Sequence, residues 1–329
     1  MELGLGAIHW SLTGPQPDDD RLQFARQLGI TNIIIHTPEL RGEGFWEFQD
    51  LVFLRTRVES YGCKLFAIEN MPRNFYDKVR LGLPGRDEQL ELVRRTLRNM
   101  GRAGIHCLGY DFNLVGVWRT GRDATPTSRG GAGVTSYDHG YAQNAPIADV
   151  GQYDDDAMWA NYTYFLKAVV PVAEEEEVVL ALHPDDPPVP SIAGTARIFR
   201  STDALRRVVA IVPSASNCLE FCQGTVSEWC QTADEVYEAI RYFGSRQKIS
   251  YVHFRNVQGV VPKFEETFID NGKVDMLEAM RCYKEVNFGG VLIDDHTPHV
   301  VNDSPWGHRG RAFSIGYMKA LMRCVETGC

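Results

Sequence analysis

The chain has 329 residues and a net charge of −9, with 44% hydrophobic and 23% charged residues. That is the profile of a globular protein, long enough for one α/β barrel or two ordinary domains. The acidic balance and the lack of a Lys/Arg-rich tract exclude a nucleic-acid binder, and no apolar run reaches membrane-spanning length.

Eight apolar runs, rich in Val, Ile, Leu and Phe as buried parallel strands are, recur along the chain. The first is "LGLGAIHW" (3–10), within an N-terminus that has neither the basic region nor the long apolar core of a secretory leader. "NIIIHT" (32–37), "KLFAIEN" (64–70) and "HCLGYDF" (106–112) follow. Between the third and fourth, "DEQLELVRRTLRNMGRAG" (87–104) has helical period and a glycine stop. Residues 113 to about 160 are rich in Gly, Ser and Thr and too long for an ordinary connection, which predicts a lid or a partly disordered insertion after strand four. The charge run "EEEE" (174–177) closes the next helix before "VVLALH" (178–183). "NCLEFC" (217–222) leads to a helix at 232–244 with Thr232 as N-cap and Gly244 as stop. "ISYVHFRN" (249–256) leads to a helix at 274–290 with a similar stop, and "GVLIDDH" (290–296) to a closing helix at 311–326. The eight cysteines lie partly in these apolar runs (Cys63, Cys107, Cys218), which reads as buried thiols in a reducing cytoplasm.

Eight strand–helix units in this length predict a (β/α)8 TIM barrel forming a single domain over 1–329. A doubly wound open sheet is the weaker alternative, because no G-x-G-x-x-G follows the first strand.

A TIM barrel builds its site at the C-terminal strand ends. Strands five to eight end at or near His183, Cys222, His253 and Asp295. Imidazole, thiol, imidazole and carboxylate on four successive strands form a plausible cage for one divalent transition metal. Each residue alone has a plainer reading: a strand-end histidine is usually a core or loop residue, and a lone cysteine a small buried hydrophobe. His9, His36 and His106 are given that plainer reading. Alternation along strand seven puts Arg255 on the face of His253, at the rim, where its fork could hold a carboxylate.

These stretches resemble the mannonate dehydratase family. "ALHPDDPP" (181–188) is similar to that family's hallmark stretch. "LGLPGRDEQLELVRRTLRNMGRAGIHCLGYDF" (81–112), "EFCQG" (220–224), "VHFRNV" (252–257) and Asp295–His296 within "IDDHTPH" fall at its other motif positions. The resemblance covers nearly the whole chain. It implies a barrel of the xylose-isomerase class and a metal-dependent hydro-lyase converting D-mannonate to 2-keto-3-deoxy-D-gluconate. It also implies Mn²⁺ or Fe²⁺ on residues matching His183, Cys222, His253 and Asp295. Asp185, Asp186, Asn256, Trp118 and Arg119 are then expected at the substrate together with Arg255, and the insertion would add Arg122 and Arg129 as positive charge. His296, beside a ligand, is the expected acid or base, with a pKa lowered by a nearby cation. The expected partner is a small sugar acid, with neither nucleic acid nor membrane, and the expected assembly a homo-oligomer.

The chain departs from the family pattern at the rim. "PWGHRGRAF" (305–313) places Trp306 where the family has a tyrosine, and an indole cannot transfer a proton at neutral pH. His299 or His308 could take that role. Ile293 and Asp294 stand where the family has arginine and proline, and Val117 where it has aspartate. The alternatives are a metal-dependent sugar isomerase or epimerase, and a silent sugar-acid binder.

Overall fold

The structure is a computed structural model that describes residues 1–11 and 19–328. Eight parallel strands close into a barrel: β1 (Glu2–Ser11), β2 (Asn32–Glu39), β3 (Lys64–Glu69), β4 (Cys107–Tyr110), β5 (Val179–Leu182), β6 (Asn217–Cys222), β7 (Ile249–His253) and β8 (Val291–Ile293). Each pairs with its sequence neighbour, and β8 closes on β1 through Glu2↔Val291 and Leu3↔Leu292. The outer ring consists of α1 (Asp19–Gln27), α2 (Phe48–Ser60), α3 (Arg86–Arg102), α4 (Asp155–Glu175), α5 (Thr202–Ile211), α6 (Ala233–Gly244), α7 (Met276–Glu285) and α8 (His308–Thr327). The main core lies between strands and helices, where Leu97, Phe165, Leu219, Ile240 and Leu292 are fully buried.

The helix ends show what pattern reading sees and misses. Thr232 caps α6 by accepting from the Glu235 amide, as its sequence predicts. Gly244 does not end that helix through a left-handed turn. It is there because a Cβ would lie 2.5 Å from Val286, the residue after α7. α7 stops at Glu285, short of Gly289, and Asn287 supplies the left-handed residue at φ 54°. α8 begins at His308, three residues before the predicted start.

The insertion after β4 ends at Asp154, where its carboxylate caps α4. It is ordered by pairing: Ser136–Asp138 adds to the strand Lys263–Glu266, which in turn pairs antiparallel with Val257–Val260. A second bridge joins Gly133 to His299 in the loop before α8. Tyr137, Val189, Ile192 and Phe264 form a small apolar cluster beneath it. Cys63, Cys107, Cys218, Cys222, Cys230 and Cys282 are buried free thiols. Among the described residues, no helix is long and apolar enough to cross a membrane.

Candidate functional site

A cavity of about 480 Å³ opens at the C-terminal strand ends, within the usual range for a small-molecule site. It is walled by strand ends, by the loop before α8 and by Val117, Arg122, Gly133, Val134 and Thr135 of the insertion. The donor atoms of His183, Cys222 and His253 lie within 4.8 Å of one another at its base. Asp295 Oδ2 is 3.5 Å from His253 Nδ1. Three of the four strand-end residues named from the sequence therefore cluster, with Asp295 beside His253.

The orientation of His253 decides what this place can hold. Its Nε2–H donates to Glu69 Oε2 at 3.1 Å, and the Glu220 carboxylate lies beside it at 2.9 Å. Its Nδ1 is buried and makes no hydrogen bond. Nδ1 thus faces thiolate and carboxylate, with the far ring nitrogen anchored on an acid, the arrangement of a metal-ligating histidine once its proton is displaced. Burial pushes the Cys222 thiol up, but Arg255 and His183 outweigh it and leave the thiol well below its ordinary pKa. Burial likewise opposes ionisation of Asp295, and His296 and His253 overcome it. Burial pulls His183 down, while Glu220 and Cys222 raise it to about 10. Two anions beside two imidazoles that gather protons are a donor set that fits one divalent transition ion, whose charge would replace those protons.

Around this set lies a buried ionic knot. Arg119 grips Asp186 through both nitrogens, at 2.6 and 2.7 Å, and reaches Glu266 at 2.5 Å. Arg255 contacts Asp186 at 3.2 Å, Glu228 at 3.1 Å and also Glu266, and it touches Cys222 at 3.5 Å and Asp295 at 3.4 Å. Both guanidiniums are spent on protein carboxylates, and neither borders the main cavity. Expected at the substrate, they instead tie together the loop of Asp186, the short helix of Glu228 and the strand of Glu266. Burial opposes the charge of Glu266, but His296, Arg119 and Arg255 hold it down to about 2, against an ordinary 4.5.

A folded pKa below the unfolded one makes Glu266 a source of stability that is complete above pH 4.5 and lost as pH falls toward 2. Glu266→Gln should flatten the pH dependence of the urea midpoint across that window. It should also cost roughly 3–5 kcal/mol at neutral pH, because three cations lose a shared anion. An unchanged slope would remove Glu266 from the acid-sensitive groups.

His296 follows the end of β8 and sits at φ 43°, a left-handed conformation uncommon outside glycine. Its Nδ1 is 2.5 Å from Glu266 Oε1 and its Nε2 3.6 Å from Asp295. Burial lowers its pKa, but Asp295 and Glu266 raise it more than Arg255 lowers it, so the net shift is upward. The sequence argument expected the opposite, because it weighed a neighbouring cation and had no sight of Glu266.

Other expected residues are placed elsewhere. Asp185 is buried and accepts from the Phe199 amide. Asn256 spends its amide on Ile269, Val274 and Val257. Trp118 packs on the insertion cluster. None of these three borders the main cavity. His308 meets Phe24 and Trp306 edge to face and pairs with Ser304, away from the cavity, whereas His299 lines it. Arg129 is paired with Asp270 at 2.8 Å. Arg122 lines the cavity and, among the described residues, has no ion-pair partner. Trp306 lines the cavity with its Nε1 donating to Ala7 O at 2.9 Å. His9 and His36, given the plain reading, line it as well, and His106 lies apart against Glu177.

Glu69, Glu220, Glu228 and Glu266 were not singled out as site residues. Glu69 had a signal, since it is a carboxylate at the end of an apolar strand. Glu220 lies two residues before Cys222, on the same face. Glu228 and Glu266 lie on a short helix and an accessory strand that no periodicity marks.

The model of "D-mannonate dehydratase (UxuA)" matches residues 7–152 and 147–328. Mannonate dehydratase 2 of Halalkalibacterium halodurans is 28% identical over 94% of each chain. The mannonate dehydratase of Thermotoga maritima is 29% identical over 94% of this chain and 92% of its own. The crystal structure of mannonate dehydratase from Streptococcus suis superposes with a TM-score of 0.87 at 25% identity, covering 99% of this chain and 94% of that one. The D-psicose 3-epimerase of Clostridium cellulolyticum H10 shares the barrel, with a TM-score of 0.62 at 13% identity, covering 98% and 99%. With the family model matching nearly every residue from β1 to α8, this chain belongs to the D-mannonate dehydratase family.

Proposed function

We propose that the protein is a metal-dependent hydro-lyase that converts D-mannonate to 2-keto-3-deoxy-D-gluconate. The observation that carries this reading is the orphaned His253 Nδ1 among Cys222, His183 and Asp295, next to His296 in one cavity. His183, Cys222, His253 and Asp295 would hold the ion, which we take to be Mn²⁺ or Fe²⁺. A bound ion would spread the negative charge that develops beside the substrate carboxylate when the C2 proton leaves.

The rest falls to the chain's own groups. The C2 proton passes to a base, the C3 hydroxyl leaves as water on taking a proton, and the resulting enol tautomerises to the 2-keto acid. His296 is the acid in this scheme, because Glu266 on Nδ1 orients the ring and its raised pKa keeps a proton to give. His299 is the candidate base, since it lines the cavity from the adjoining loop. Arg122 is the candidate counter-charge for the substrate carboxylate, and the insertion that carries it acts as a lid over the strand ends. A cytoplasmic location and a homo-oligomeric assembly complete the proposal; the buried free thiols agree with the location.

Trp306 favours one second reading. Its indole N–H is occupied by Ala7 O, so it transfers no proton, and a sugar-acid binder without turnover would keep the same cavity. Incubation of the Mn²⁺-supplemented protein with D-mannonate decides between them. Appearance of a 2-keto-3-deoxy acid is the expected result. Binding without product points to the silent binder, and a product that keeps all its hydroxyls points to an isomerase.

A further inference from the structure

One half of the cavity wall takes no part in the scheme above. His9 and His36 are register partners on β1 and β2, and their rings meet edge to face with centroids 4.9 Å apart. Asn70, one residue past β3, has Nδ2 3.3 Å from His36 Nε2. The amide therefore donates to the imidazole, and its Oδ1 is left buried with no partner. Asn70 is held at φ 68°, an unusual backbone state of the kind that collects at ligand sites. Asp111, one residue past β4, also lines the cavity. Its Oδ1 is buried with no hydrogen bond, and the nearest cation, Arg80, stays 3.8 Å away. The Trp306 ring closes this side, tied to β1 at Ala7.

The chemistry of this wall differs from that of the opposite side. Burial, and then the neighbouring His36, keep His9 below its ordinary pKa, so it is a neutral imidazole near pH 7. A neutral imidazole both donates and accepts, and the free oxygens of Asn70 and Asp111 accept. A carboxylate head would be repelled by Asp111, whereas hydroxyl groups would satisfy these acceptors. The indole offers a flat apolar face to C–H bonds. An anionic head is better placed by the ligand set and by unpaired Arg122.

We infer that His9, His36, Asn70 and Asp111, with the Trp306 ring as backing, form a subsite that reads the hydroxylated tail of the substrate. The site thereby selects polyhydroxy acids with several carbons beyond the reacting pair over short hydroxy acids. This inference rests on the sugar-acid reading above, but binding tests it separately from turnover.

The test uses the full chain with His296→Asn to slow turnover, supplemented with Mn²⁺, and calorimetric Kd values for D-mannonate and D-glycerate. D-mannonate should bind at least ~10-fold tighter, the worth of one or two well-made hydrogen bonds. Asn70→Gly, which suits the left-handed backbone, and His36→Phe should each cut that preference roughly 5- to 30-fold and leave D-glycerate binding within about two-fold. Manganese content and near-ultraviolet circular dichroism check that each variant is folded. The inference is overturned if the parent shows no preference for the longer acid, or if a folded variant keeps the preference intact. Preference without any dehydration product from wild type would sink the proposed reaction and keep the subsite. Dehydration with the preference untouched in the variants would do the reverse.

Discussion

Replacing His296 with Asn should lower kcat by roughly 10²–10⁴, the usual worth of a general acid or base, and leave the metal content unchanged. His296 is 3.6 Å from Asp295, yet its Nδ1 is engaged by Glu266, and the proposed donor set does not include it. Asparagine keeps a hydrogen-bonding side chain of similar size and tolerates the φ of 43° better than most residues. Loss is therefore expected in proton transfer rather than in folding. Elemental analysis alongside single-turnover rates makes the check. A variant that loses its metal would make His296 a ligand, and one with unchanged kcat would move the acid elsewhere in the cavity, with His299 the next to test.

His253→Ala should remove both metal and turnover. The protein as purified should carry about one divalent ion per chain, and the variant close to none. The same holds for His183→Ala, whose imidazole stands within the donor cluster. Glu220→Gln is the graded comparison: it keeps the shape but removes the negative charge that lies 2.9 Å from His253 Nε2. Removing such an outer partner typically costs ~10–100-fold in metal affinity, so Glu220→Gln should retain metal at high concentration and lose it on dialysis against a weak chelator. Full occupancy in His253→Ala would show that the ion sits elsewhere, and the Glu69–Glu220 pair would be the place to look.

The strand ends were legible because barrel geometry turns a linear spacing into a common rim. A buried strand reads as an apolar run, so a His, Cys or Asp closing that run is visible as an exception, as at His183, Cys222, His253 and Asp295. The same logic applied to Glu69, His9 and His36 on the first three strands, but each of those alone carries the plainer reading, and only the cavity brings them together. The departures at Asp294 and Trp306 were visible as departures, yet their meaning was not. In the structure Arg311 joins them, bonding Asp294 at 2.7 Å and lying over the Trp306 ring at 4.5 Å.

The sequence by itself determined the barrel, its eight strands to within a few residues, the candidate metal ligands and the family. Each of these depends on local periodicity or on short motifs. Only the tertiary structure decided which polar groups are already spent. Arg119 and Arg255 look like substrate-binding cations until Asp186, Glu228 and Glu266 arrive from three separate segments to neutralise them. Asn256 and Asp185 look like rim residues until the backbone amides and carbonyls they serve are seen. A side chain's free valence is a sum over partners distant in the chain, and so is the balance of burial against nearby charge that sets the pKa of His296.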